Sequence, residues 1–186
     1  MTDGRATART LVLLRHGKAE RPEGIADRER ALTERGHADA AAAGAWLARH
    51  GFLPDVVVCS PARRTRQTWQ AVESGMAESG MARSGPAGNG SAGNGSKPRV
   101  RYEPAVYAAE TADLLDLLRA TDPDAGTVLL VAHNPGISLV SIVLDRVGAD
   151  REGLRTSGVV VHRVTGDWAD LGTAPAPVTA RHTARA

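Results

Sequence analysis

Apolar positions along the chain fall into short unbroken runs separated by longer stretches of helical period. LVLL (11–14) is a buried-strand run, and LTERGHADAAAAGAWLARHG follows it with apolar residues at helical spacing. Thr33 is placed to cap that helix and Gly51 to end it. DVVVCS (55–60) predicts a second strand, and PARRTRQTWQAVESGM a helix with Ser60 as N-cap and Pro61 as its first residue. Further on, VRYEP predicts a strand, TADLLDLLRATD a helix, TVLLVAH (127–133) a buried strand and ISLVSIVLDRVG a helix. SGVVVHRV and DWADLG close the pattern as strands. Strand and helix alternate, which predicts an α/β fold: a three-layer αβα sandwich around a mostly parallel central sheet.

Two segments lack any apolar period. Residues 79–98 are rich in Gly, Ser, Asn and Pro and carry AGNGS twice, so they are expected to be a flexible insertion within one domain spanning 1–186. Residues 173–186 are expected to be a disordered tail.

Composition narrows the function. The net charge is +2, from 23 basic and 21 acidic residues, and aromatic residues make up 3%. Neither a basic surface nor a stacking set for bases is indicated, so no nucleic-acid partner is expected. No run reaches the ~18 apolar residues of a membrane span, and MTDGRATART lacks the apolar core of a secretory signal. A cytoplasmic protein without a membrane partner is expected; oligomeric state is left open. Cys59 is the only cysteine and sits in an apolar run, which excludes an internal disulfide and a Cys-rich metal site.

Chemistry gathers at strand ends. In an open α/β sheet, ligands bind beyond the carboxyl ends of the strands. LVLL ends in Arg15-His16-Gly17, DVVVC in Ser60-Pro61, and TVLLVA in His133-Asn134-Pro135-Gly136. Two imidazoles among guanidiniums repel a metal cation but suit a phosphoryl group, whose oxygens the guanidinium fork matches. No metal or cofactor is expected. Arg64 falls near the positive end of the second helix, where phosphate is favoured; Arg63 and Arg66 are expected to face solvent. Gly17 would let the backbone approach the phosphate.

RHG after the first strand, SPARRTRQT at the second strand–helix junction and AHNPG after the later strand resemble the histidine phosphatase superfamily, of phosphoglycerate-mutase-like fold. The chain length, RHGKAE, DRERALTERG and AHNPG resemble its short SixA-type phosphohistidine phosphatases. The resemblance implies that His16 is the nucleophile and becomes transiently phosphorylated, that Arg15 and Arg64 hold the phosphoryl oxygens, and that His133 donates to them. It also implies that Arg30 reaches the pocket. Gly17, Arg30 and Asn134 are the expected substrate-binding residues. His37, His50, His162 and His182 receive no role. Larger relatives supply a carboxylic acid to the leaving group; Glu103 and Glu110 flank PAVYA here, but carboxylates at such helix starts are expected to be caps or dipole partners, and no residue is assigned as the acid.

The implied activity is a cofactor-independent phosphatase acting on phosphohistidine of a protein partner. The alternatives are a small-molecule phosphomonoesterase acting on sugar or nucleotide phosphates, and a phosphate-binding regulator without turnover. Mutase activity is disfavoured, because so short a chain offers little lid sequence to shield a phosphoenzyme from water.

Overall fold

A computed structural model describes residues 8–80 and 97–184. Most of the expected insertion, 81–96, lies outside the described residues, as do the last two residues of the tail. The elements run β1 (Ala8–Arg15), α1 (Glu34–Arg49), β2 (Val56–Cys59), α2 (Arg63–Glu78), β3 (Arg99–Tyr102), α3 (Thr111–Arg119), β4 (Thr127–Ala132), α4 (Gly136–Leu144), β5 (Gly158–Thr165) and β6 (Val178–Thr183). One six-stranded sheet has the order β3-β2-β4-β1-β5-β6. The first four strands pair in parallel, and β5 and β6 extend the sheet antiparallel beside β1.

The layers follow from the pleat. Successive side chains of a strand point to opposite faces. Thus Leu11, Leu13, Val128 and Leu130 pack with Leu114, Leu118, Ile137 and Val140 of α3 and α4. Val12, Leu14, Leu129 and Val131 face the other way, against Ala40, Ala43, Leu47, Trp69 and Val72 of α1 and α2. Both faces of these central strands are covered, which is why their sequences read as unbroken apolar runs.

The caps of α1 match the sequence. Thr33 Oγ1 accepts from the Gly36 N–H at 2.9 Å, and Gly51 takes φ +74 just past the helix. Three expectations need correction. The second helix begins at Arg63 with Ala62 as N-cap, not at Pro61, because the chain spends two more residues leaving β2. DWADLG is no strand: residues 168–170 form a 3-10 turn that drives the Trp168 indole into the core, where Nε1 donates to the Ala125 carbonyl at 2.7 Å. The tail is ordered in part, since residues 178–183 form β6. An edge strand buries only one face, so Val178, Ala180 and His182 turn partly inward while Thr179, Arg181 and Thr183 stay exposed. That alternation is too polar to resemble a core strand.

Helices α1 and α2 approach so closely that glycine is required at the crossing. A Cβ at Gly44 would lie 2.0 Å from the Val72 carbonyl oxygen, and one at Gly75 would lie 2.0 Å from that of Ala41. In an isolated helix, Gly→Ala stabilises by about 1 kcal/mol. Here Gly44→Ala and Gly75→Ala should each destabilise by about 1–3 kcal/mol, since the backbones must separate. Urea unfolding of the two variants checks this; a stabilised variant would contradict the packing.

Candidate functional site

The carboxyl ends of β1, β2 and β4 lie side by side at the centre of the sheet, and each delivers one of the expected segments. His16 leaves β1 with its N–H on the Ala132 carbonyl, and the Ser60 N–H reaches Val131 of β4. The rings of His16 and His133 come to 5.1 Å between centroids, tilted by 57°. Arg64, in the first turn of α2, is 6% exposed, whereas Arg63 and Arg66 face solvent as expected. The sheet therefore brings His16, His133, Arg15 and Arg64 together.

Hydrogen-bond partners fix both tautomers. His16 Nδ1 lies 2.7 Å from the Gly17 carbonyl oxygen, which can only accept, so Nδ1 carries the proton and Nε2 presents a lone pair. Arg64 can only donate, and its NH2 is 3.2 Å from His133 Nδ1. The proton of His133 is thus on Nε2, which donates to Ser60 Oγ at 2.8 Å. Burial holds His16 down to about 4, with Arg64, Arg15 and Arg30 pushing the same way and the Gly17 hydrogen bond opposing. Burial, then the neighbouring His16 and Arg64, hold His133 down to about 3, with Asp27 opposing. Both rings are neutral at neutral pH.

Asp27 is the residue that sequence reasoning missed. Its backbone oxygen accepts from Arg64 NH1 at 2.6 Å and its Oδ2 from Arg64 NH2 at 3.0 Å. Tyr107 donates to Oδ2 at 2.8 Å and Arg30 to Oδ1 at 2.7 Å. These donors, Tyr107 first and then Arg30, hold the Asp27 carboxyl far below the usual carboxylate range, and Asp27 in turn raises the Tyr107 phenol. Tyr107 stands edge-on to the His133 ring at 5.7 Å. DRERALTERG drew attention to Arg30, and the same segment contains Asp27; only the fold shows that the carboxylate faces Arg64.

The remaining expected residues have other partners. Arg30 borders the site through Asp27 and also donates to the Glu20 carbonyl at 2.7 Å. The Gly17 N–H donates to Thr68 Oγ1 at 3.0 Å, and a Cβ on Gly17 would meet the Gly36 carbonyl at 2.7 Å. Close packing against the start of α1 is thus sufficient reason for glycine there. Asn134 bridges the Leu154 carbonyl at 3.0 Å and the Ser138 hydroxyl at 2.6 Å, tying the loop before β5 to α4. Arg15 NH1 donates to that same Leu154 carbonyl at 2.8 Å, while its Nε is buried without a partner among the described residues. Glu103 and Glu110 cap helix starts, as expected. His162 is buried between Ser141 and the Ala176 carbonyl, at 2.9 and 2.7 Å. The Cys59 thiol is buried and pushed up to about 12.

The depressed imidazoles make stability depend on pH. Unfolded, both rings titrate near 6.5; folded, they titrate at about 4 and about 3. Below pH 6.5 the unfolded chain therefore binds protons that the folded chain refuses, so stability falls as pH drops toward 4 and levels off near 3. A His16→Gln/His133→Gln variant should lose less of its urea midpoint between pH 7 and 4.5 than the parent. Equal losses would mean that the two rings do not titrate as described.

The family model of the histidine phosphatase superfamily, branch 1, matches residues 11–79. An uncharacterized protein of Mycobacterium tuberculosis is 33% identical over 180 residues, covering 92% of this chain and all of that protein. A structure from Nakamurella multipartitia, provisionally named phosphohistidine phosphatase SixA, is 33% identical with a TM-score of 0.77, over 96% of this chain and 98% of that one. Its counterpart from Agrobacterium tumefaciens, named in the same provisional way, is 26% identical with a TM-score of 0.68, over 84% and 94%. With its strand-end histidines and arginines placed as described, the chain belongs to the histidine phosphatase superfamily.

Proposed function

We propose that this phosphatase works through a phosphohistidine intermediate on His16 and that its substrate is phosphohistidine on a protein partner. The observation that carries the reading is the tautomer of His16. With the proton held on Nδ1 by the Gly17 carbonyl, the Nε2 lone pair is free to attack beside Arg15 and Arg64.

Attack forms the bond from Nε2 to phosphorus as the bond to the leaving nitrogen breaks. Arg15 and Arg64 take up the charge spread over the phosphoryl oxygens, and His133 exchanges Ser60 for one of those oxygens as its acceptor. Water then attacks the phosphorus, and His16 is released. The names borne by the Nakamurella and Agrobacterium relatives support this choice of substrate.

The acid–base inventory supports it too. Asp27 is the carboxylate bonded to Arg64, and three donors hold it ionised, so it has no proton to give a leaving group. A departing imidazole can carry its own proton. An alkoxide cannot, and without a general acid it forgoes the ~10²–10⁴-fold that proton donation contributes.

Two measurements check the proposal. A single turnover with labelled substrate should leave acid-labile, base-stable label on the parent and none on His16→Ala; full activity in that variant would rule out the mechanism. Phosphohistidine and aryl phosphates should be hydrolysed at least ~10²-fold faster than alkyl phosphates such as phosphoserine. Equal rates would favour the small-molecule phosphomonoesterase.

A further inference from the structure

Beside the phosphoryl site, at the same edge of the sheet, the ends of β1 and β6, the start of α1 and the loop before β5 enclose a cleft of about 340 Å³. Arg15, Lys18, Arg35 and Arg155 line it together with Thr156 and a single carboxylate, Asp39, which Arg35 meets at 3.6 Å. Among the described residues neither Lys18 nor Arg155 forms an ion pair. Cations gathered in one cleft repel one another, and among the described residues only Asp39 offsets that charge within its lining. Buried at 0% exposure next to Thr156, Ser157 holds a hydroxyl with no partner among the described residues and a backbone at φ 54. Its N–H is bonded to the His16 carbonyl, so the loop that carries Arg155 is fastened to the nucleophile's own residue. The opposite flank of the site is more apolar. Beyond β3, a groove beside Tyr107 is lined by apolar residues with Asp113 and with Asp116, which Arg119 meets at 2.8 Å.

We infer that the cleft of Lys18, Arg35 and Arg155 is a second anion subsite, which takes an acidic group of the substrate while the phosphoryl group sits at His16. Arg15 belongs to both places, which makes the two sites contiguous. The required ligand chemistry is a carboxylate or phosphate near the transferred phosphoryl group. Given the phosphatase reading, on which this assignment of the occupant rests, the group is an Asp or Glu side chain flanking the phosphohistidine of a protein. Guanidiniums meet such carboxylates in pairs of parallel hydrogen bonds.

Arg35 and Arg155 are exposed, so Arg35→Gln/Arg155→Gln should fold and should hydrolyse p-nitrophenyl phosphate within about twofold of the parent. Acidic-flanked and neutral-flanked phosphohistidine peptides then test the subsite. In the double variant, kcat/KM for the acidic peptide should fall about tenfold through KM, with the neutral peptide nearly unchanged. The parent's preference should fade in about 0.5 M salt, and Arg155→Glu should reverse it. Binding of inorganic phosphate gives an arm independent of turnover: two equivalents on the parent, one on the double variant. Equal loss on both peptides, or one equivalent on the parent, would overturn the subsite even if the enzyme hydrolyses phosphohistidine. Two equivalents with no turnover of any phosphohistidine peptide would instead leave the subsite standing and refute the proposed substrate. If 1,4-phenylene bisphosphate responds to the variants and the acidic peptide does not, the subsite stands and its anion comes from a small molecule.

Discussion

A guanidinium almost wholly removed from water has to find acceptors within the protein, and much of this site is arranged around that need at Arg64. Burying an unpaired cation is prohibitive, so the surroundings supply the Asp27 backbone oxygen, the Asp27 carboxylate and Nδ1 of His133. Each acceptor then constrains something else. The bond to His133 sets that ring's tautomer and sends its other proton to Ser60. The bond to Asp27 fastens the loop before α1 to the start of α2, with Tyr107 and Arg30 closing the carboxylate from other sides. One buried cation thus links three separated stretches of chain in a fixed geometry.

Close backbone approach supplies the rest of the rigidity. The turn after β1 lies against the first turn of α1, where a Cβ at Gly36 would fall 2.1 Å from the Lys18 carbonyl, and α1 in turn presses on α2 at Gly44 and Gly75. Since α2 carries Arg64 and also Thr68, which holds the Gly17 N–H, the loop of His16 and the helix of Arg64 share one packed unit. A site built on elements held this tightly keeps its donors aimed before substrate arrives, which is where electrostatic stabilisation of a transferring phosphoryl group comes from.

Charge at the edge of the sheet is distributed rather than uniform. Neutral imidazoles occupy the centre because burial and neighbouring arginines both disfavour their protonation. Lys18 and Arg155, which form no ion pair among the described residues, lie toward β6 beside the Arg35–Asp39 pair, and a more apolar groove, whose Asp116 pairs with Arg119, lies beyond β3. The sheet order explains the separation, since the two flanks are carried by its opposite ends while the reactive residues descend from its middle. A small net charge says nothing of this arrangement.

The sequence by itself determined the layered fold and which histidines and arginines would gather at one edge of its sheet. Unbroken apolar runs of strand length such as TVLLVA, alternating with helical segments, read as strands covered on both faces, and residues immediately after such runs then emerge at one edge of a parallel sheet. That made Arg15, His16, Arg64 and His133 legible, because local pattern and topology point the same way. Only the tertiary structure decided the role of Asp27, which lies in an exposed turn with no period and meets Tyr107 across 80 residues. It also decided that Ser60 serves His133 instead of capping a helix cleanly, and that the polar tail forms an edge strand. The reason is common to these cases. Burial leaves a periodic trace in sequence, whereas a hydrogen bond between distant loops depends on where two chain segments come to rest, and no local pattern of residues records that.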